Sequence, residues 1–432
     1  MEKSTPSIRS RLKQKLGFIG PGVVYGLAVL GTGDIVSNSA AGASYRYSLI
    51  WALGMALIFR YVWVNTSAKY VLITGESLLT GYGRVARWVP WVVIAAFFPL
   101  RHMTNQYLIL MMGSAAHMLW PLPLAWSAEI WACLFTFLGF AIAFWGGYPS
   151  IESLCKILIG IMGVSLVAAA LMSNPDPADI LHGIFIPTLP QTQGLYSSIL
   201  IVLALIGTEA GSIANLTYSY FIQEKGWKGA SYLKRQRVDL AVGALCLFIM
   251  GGLLQIAAAG VIHPLNIQVE NPEDLGEIFW RTQGNLGLFV FALGLWGSAF
   301  SSFVGLNTGH ALILTDLCRN LPSLKRVREM KDYSPKKDPI YRTMIAFWSF
   351  APLYIIFTTE TKTVWLVLIT AAFGAMLIPI LGLSLLKITN DRELLGDYRN
   401  GWVTNIVLLT LISLAMYFGY QNGLNLWEDL FS

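Results

Sequence analysis

The sequence predicts an all-α membrane protein of eleven transmembrane helices, and three observations carry that expectation. The first is composition: of 432 residues, 55% are hydrophobic and 12% charged, about half the charge that a soluble domain carries. Mean hydropathy is +0.58. Forty Gly and 15 Trp suit close helix packing and interfacial anchoring in a bilayer. The second is length: eleven segments reach the roughly 20 mostly apolar residues that a spanning helix needs. The third is the distribution of Lys and Arg between alternate connections. Together they exclude a soluble enzyme, a disordered chain and a nucleic-acid binder, and they make the lipid bilayer an obligatory partner.

The segments run in order at roughly 17–45, 47–68, 89–119, 123–146, 152–173, 195–222, 239–262, 284–315, 342–359, 363–386 and 401–421. Span 1 follows a basic N-terminus, Met1–Lys15, with no small-residue cleavage site after it, so it reads as a retained helix. Spans 2 and 3 are apolar except for Arg60 and Arg101, and span 5 opens at Glu152, which suits a cap. Span 8 carries Ser301, Ser302 and Asn307. The connections are too short for a soluble domain, so residues 1–432 form one transmembrane domain. Cys133, Cys155, Cys246 and Cys318 have no CxxC spacing and read as reduced packing residues.

Orientation follows from the basic residues. Five lie in the first fifteen positions, five more between Lys225 and Arg237, and seven between Arg319 and Lys337. With eleven spans all three clusters fall on one side. The other side holds Asp176 and Asp179, then Glu270, Glu273, Asp274 and Glu277, then Glu428 and Asp429. A plasma-membrane protein with its N-terminus in the cytoplasm and its C-terminus outside is the expectation.

Spans 1 and 6 are each interrupted by glycine near mid-depth, at Gly31-Thr32-Gly33-Asp34 and at Gly207-Thr208-Glu209-Ala210-Gly211. The two breaks open successive five-helix blocks, approximately 17–173 and 195–386, with 401–421 as an extra span. An offset of five spans inverts the second block relative to the first. Paired broken helices in inverted repeats point to a transporter's central site, because unwound backbone must be satisfied by protein, water or substrate. Close helix packing is the competing use of such glycines.

At these residues the chain resembles the NRAMP family, proton-coupled divalent-metal transporters of LeuT-type fold. The resemblance covers nearly the whole chain. It is carried by Gly20-Pro21-Gly22, Ala41-Gly42-Ala43, Ala68-Lys69, Thr74-Gly75, Gly147-Tyr148 with Ile151-Glu152, and Phe291–Leu295 with Ser301-Ser302. Asn390-Asp391-Arg392 and Leu395-Gly396 complete it. The family's metal ligands come from Asp-Pro-Gly-Asn in span 1 and Met-Pro-His in span 6. Here those positions read Gly31-Thr32-Gly33-Asp34 and Gly211-Ser212-Ile213, so the usual motifs are missing. Tyr107 and Leu110 stand at two positions where the family has acids in span 3, and an apolar residue near Leu366 replaces its span 10 glutamine.

Four ionisable groups lie deep in the spans: Asp34, Arg60, Arg101 and Glu209. Each costs at least about 2.5–3.5 kcal/mol to insert, so each requires a partner or a wet cavity. Asp34 and Glu209, at the two breaks, are expected to face each other and to bind a divalent metal of the Mg²⁺ or Mn²⁺ type. Gly31, Thr32, Gly33, Thr208, Gly211 and Ser212 would complete the substrate site with hydroxyls and backbone. Two alternatives stand beside this. Asp34 caps the outer half of span 1, and Arg60 and Arg101 neutralise the two acids as buried pairs unless one of them snorkels away. A small zwitterion or amine, its carboxylate on the free amides of the Gly-Thr-Gly break, is the other substrate class. Ser301 and Ser302 mark a candidate sodium site. A sensor of the same fold, or a channel, is a further alternative. Enzyme motifs are lacking, no cofactor is implied, and the protein is expected to act as a monomer under alternating access, with spans 1, 2, 6 and 7 moving against the rest.

Overall fold

The computed structural model describes residues 31–431 apart from 147, 192–194, 212–213, 225, 320–324, 331–332 and 359–361. The inner half of predicted span 1, together with Ser212 and Ile213, lies outside the described residues. Among those described, the chain is helical throughout and has no strand. Its main helices are α1 (Thr32–Tyr45), α2 (Ile50–Thr74), α3 (Leu78–Val85), α4 (Val89–Leu119), α5 (Ser127–Trp145), α6 (Tyr148–Met172), α7 (Pro177–Phe185) and α8 (Ser198–Glu209). They continue as α9 (Ala214–Glu224), α10 (Leu233–Val261), α11 (Pro272–Arg319), α12 (Pro339–Phe350), α13 (Thr363–Ala375), α14 (Ile378–Asn390) and α15 (Trp402–Phe431).

By length and composition, seven stretches of the described residues are apolar enough to cross a membrane. Helices also fill the predicted places of spans 2 and 3, which carry Arg60 and Arg101. The connections hold more structure than their sequences suggested. α3 and α7 are short helices capped by the side chains of Ser77 and Asp176. α11 bends at Gly284 (φ 66°, ψ −153°), which separates an acidic helix at 272–283 from the predicted span 8. Only a residue without a side chain adopts that conformation cheaply.

Two groups of helices emerge. α1, α2, α8, α9 and α10 pack against one another, while α4, α5, α6, α11 and α12 form a second body in which α11 lies against α6 and α4. The first group is that of spans 1, 2, 6 and 7, but of the expected remainder α14 packs on α2, and α15 on α8 and α2. α13 bridges the two, touching α8, α1 and α4. In a bilayer such contacts depend on shape, because lipid is as apolar as the partner helix. Gly207 shows the tolerance: a Cβ there would lie 1.9 Å from the Ala371 carbonyl oxygen, so α8 and α13 meet backbone to backbone. Cys133, Cys155, Cys246 and Cys318 form no disulfide with one another.

Two boundaries differ from expectation. Span 6 is divided into α8 and α9 as predicted, but span 10 is divided too, between Ala375 and Ile378. Pro379, which has no amide hydrogen to give, sits in the first turn of α14, the position where proline is tolerated. The fifth span begins at Tyr148, which places Glu152 inside the helix and not at its cap.

Candidate central site at two broken helices

The start of α1 and the break in span 6 meet. A Cβ built on Gly33 would stand 3.2 Å from Thr208 Cγ2, so the start of α1 lies against the end of α8. Helix α1 opens at Gly31 (φ −69°, ψ 162°), and the Gly31 amide donates to Asp34 Oδ2 at 3.0 Å. Asp34 therefore does cap the half-helix, from its first turn: Gly31 occupies the N-cap position assigned to Asp34 in sequence. This contact also revises the alternative that placed a substrate carboxylate on the free amides of the break, because the Gly31 amide already has a resident carboxylate. Asp34 Oδ1 is buried with no hydrogen-bond partner among the described residues.

At the other break, α8 ends at Glu209, whose carbonyl and that of Ala210 lose their helical partners. Asn215 Nδ2, from the next helix, donates to both at 2.9 and 3.0 Å. Asn215 drew no attention in sequence; its only signal is an amide side chain four residues beyond a glycine break. Asn38 does similar work on α1. Its Nδ2 donates to the Asp34 carbonyl at 2.8 Å, and its Oδ1 accepts from Gln255 of α10 at 2.9 Å. The Thr208 hydroxyl, expected as a ligand, donates to the Ala204 carbonyl at 2.7 Å in its own helix.

Asp34, Glu209 and Arg60 come together as a buried triad, each no more than 5% exposed. Arg60 is ion-paired with Glu209, which answers one half of the expected neutralisation. The other half fails. Arg101 pairs with neither acid and does not snorkel, being 2% exposed. It donates from Nε and Nη2 to Asn307 Oδ1 at 3.1 and 2.8 Å, and from Nη2 to Asn105 Oδ1. Asn105 in turn donates to the Trp348 carbonyl at 2.6 Å, locking α4, α11 and α12 together around the guanidinium. An asparagine pair at the proper depth offered a second home for the arginine that charge counting alone could not reveal. Nη1 of Arg101 and both ring nitrogens of His310 have no hydrogen-bond partner among the described residues.

Between the breaks and this network lies a cavity of about 110 Å³. Gly33, Gly207 and Thr208 form one wall, Arg101, Thr104 and Tyr107 of α4 another, and His310 of α11 with Thr370 and Gly374 of α13 the rest. Of the predicted site residues, Gly33, Thr208 and Arg101 line this cavity, while Asp34, Glu209 and Arg60 meet as the triad beside it and do not line it. Ser212 is outside the described residues. Ser301 is buried on α11 with its hydroxyl turned to the Ser298 carbonyl at 3.2 Å, the self-satisfied arrangement common for serine in membrane helices. Among the described residues no three His, Cys, Asp or Glu side chains cluster as a metal cage.

Half-helices meeting at a polar cavity between two helical bodies define a membrane transport protein of LeuT type. Residues 22–423 match the profile of the natural resistance-associated macrophage protein-like family, and the chain belongs to that family. Its members are transporters and not enzymes. The divalent metal cation transporter MntH of Mycobacterium leprae is 24% identical over 438 residues, covering 95% of this chain and 94% of that one. MntH of Caldanaerobacter subterraneus is 22% identical over 323 residues, 72% of this chain and 74% of the relative. Among solved structures, a manganese transporter of Eremococcus coleocola superposes with a TM-score of 0.70 at 14% identity, over 96% of this chain and 88% of the other. MhsT, solved with L-phenylalanine, gives 0.51 at 17% identity, over 93% and 98% of the two chains.

Proposed function

We propose that this chain is an alternating-access transporter that carries a divalent metal cation of the Mn²⁺ or Mg²⁺ type across the plasma membrane. The observation that carries the reading is the acid pair at the meeting of the two breaks. Glu209, ion-paired with Arg60, lies beside Asp34, and one carboxylate oxygen, Asp34 Oδ1, is buried with no hydrogen-bond donor among the described residues. Arg101, by bonding to asparagines, stays out of that pair and leaves Arg60 to face the two acids. Asp34 and Glu209 would seat the cation, with backbone at Gly31, Thr32, Gly33 and Gly211 and the hydroxyls of Thr208 and Ser212 at the rim. Oxygen ligands of this kind suit hard cations. The MntH names of the relatives support the same cargo.

The rest of the reading follows from the sequence. Eleven spans arranged as two inverted repeats, 17–173 and 195–386, plus 401–421, place the N-terminus in the cytoplasm and the C-terminus outside. The chain works as a single-domain monomer, with α1, α2, α8, α9 and α10 rocking against α4, α5, α6, α11 and α12. The test is Mn²⁺ entry into proteoliposomes holding a trapped Mn²⁺-sensitive dye. Wild type is expected to admit the ion and Asp34→Ala to lose entry while remaining folded. Equal entry in both would refute the acid-pair site.

A further inference from the structure

The acid pair is not the only polar feature that the cavity leaves unanswered. Arg101 is 2% exposed and His310 is 5% exposed, and both line the cavity. The guanidinium spends Nε and Nη2 on Asn105 and Asn307, which fix its plane. Nη1, with two N–H donors, has no acceptor among the described residues, and neither nitrogen of His310 has a partner there. A buried donor left unmade costs about 1–3 kcal/mol, and more when it is charged. Among the described lining residues Arg101 is the one formal charge; no acid lines this cavity.

We propose that the Arg101–His310 end of the cavity is a binding subsite for the carboxylate of a small organic anion. The Arg101 Nη1 donors hold the carboxylate oxygens and His310 supplies a further contact. This rests on the reading of the chain as a transporter but not on the metal as its cargo. Three physical features select the ligand class. A fixed guanidinium with unspent N–H donors matches an oxyanion better than a point charge would. The apolar part of the lining, Phe97, Leu100, Leu306 and Val367, rewards a short carbon skeleton, and Thr104, Tyr107, Thr208 and Thr370 line the cavity beside it. The volume, about 110 Å³, is somewhat below the roughly 150 Å³ that admits benzene, so solutes of about four to six non-hydrogen atoms fit.

Charge balance points the same way. Arg60 answers Glu209, but Arg101 bonds to amides, so its own charge at mid-membrane, where charge is costly, meets no acid in this cavity. A carboxylate on Arg101 compensates it. The anion is therefore either the cargo itself or the companion of the cation, and both sources share one recognition chemistry.

The test uses the purified full-length protein and radiolabelled acetate, glycine and lactate, with chloride and methylammonium as competitors. Saturable binding of at least one carboxylate is expected, displaced by neither competitor. Arg101→Lys, which keeps the charge but loses the fixed fork, is expected to weaken binding at least tenfold, and Arg101→Gln to abolish it. Gly374→Leu fills the cavity without touching a charge. Its Cβ would meet only the Gly211 carbonyl oxygen, at 4.0 Å, so it keeps the test open if the Arg101 variants fail to fold. Binding that requires Mn²⁺ identifies a companion anion, and binding without it a cargo; both support the subsite. Absence of saturable binding in folded wild type, with and without Mn²⁺, overturns it, as does displacement by chloride. Proteoliposome flux separates the two readings: Mn²⁺ entry without carboxylate binding sinks the subsite alone. Carboxylate binding with no flux of either solute sinks the transporter alone.

Discussion

Replacing Arg60 by methionine removes the guanidinium that pairs with Glu209, at side chains only 6% and 2% exposed. Water cannot reach the stranded carboxylate, and Asp34 lies beside it, so a second like charge raises the cost. Breaking a buried pair by deleting one partner costs about 3–5 kcal/mol, and the adjoining acid places this variant toward the upper end. Deleting both partners, as Arg60→Met with Glu209→Gln, removes the stranded charge as well as the attraction. The double variant should therefore recover much of the loss. The assay is a double-mutant cycle read by thermal unfolding in one detergent, for wild type, the two single variants and the double variant. A coupling energy of about 2–3 kcal/mol, at the high end for contacting residues, is expected. If the two single effects simply add, the pair carries no mutual energy and the account of the triad is wrong.

Three further outcomes follow from particular contacts. Gly207→Ala drives a methyl to within 1.9 Å of the Ala371 carbonyl oxygen, and overpacking of that kind costs about 1–3 kcal/mol or more; unfolding at the wild-type temperature would refute the close α8–α13 approach. Asn215→Ala strips the donor from the Glu209 and Ala210 carbonyls, a loss of about 1–3 kcal/mol, while Asn215→Asp, which cannot donate, should be as damaging by the same assay. At the basic end of the bundle, Asp338 accepts from Arg319 Nε and Nη2 at 2.8 and 2.9 Å and caps α12 through the Ile340 amide at 2.9 Å. Burial pushes the Asp338 carboxyl up, but these bonds outweigh it and hold its pKa below the ordinary value. Its stabilising contribution is thus complete above the usual carboxylate pKa of about 3.9 and fades as pH falls through the lower folded value. Unfolding temperatures followed from pH 6 downward should show that loss in wild type, and Asp338→Asn should flatten it; an unchanged acid slope in the variant would count against the assignment.

Much of this architecture was written plainly in the sequence. The helices that fill the places of spans 2 to 11 and the glycine break in span 6 follow from apolar length and from glycine placement, signals that act locally along one helix. Pairing of a buried arginine with a buried acid was anticipated because a buried charge must find its opposite, but that Arg60 takes Glu209 was not. What the sequence concealed depends on facing helices. Arg101 looked like a partner for an acid because counting charges ignores amides, and only the convergence of α4, α11 and α12 brings Asn105 and Asn307 to it. Asp34 sits one turn inside its half-helix because Gly31 starts that helix, a boundary that propensity places only loosely. The break in span 10 was hidden for another reason. Pro379 lies in an apolar run that reads as continuous, and the turn before it depends on α13 ending at Ala375 against Gly211, just beyond α8, where a Cβ would stand 3.0 Å from the Ala375 Cα.

The central claim is that the cavity between the two bodies opens in turn to each side of the membrane. Thr208 lines that cavity at the meeting of the breaks, so it can report access directly. With Cys133, Cys155, Cys246 and Cys318 replaced by serine or alanine, Thr208→Cys would be treated with a membrane-impermeant thiol reagent in intact cells and in inverted vesicles. Alternating access predicts modification from both sides, slowed on both when Mn²⁺ is bound. Modification from one side only, unaffected by substrate, would contradict it.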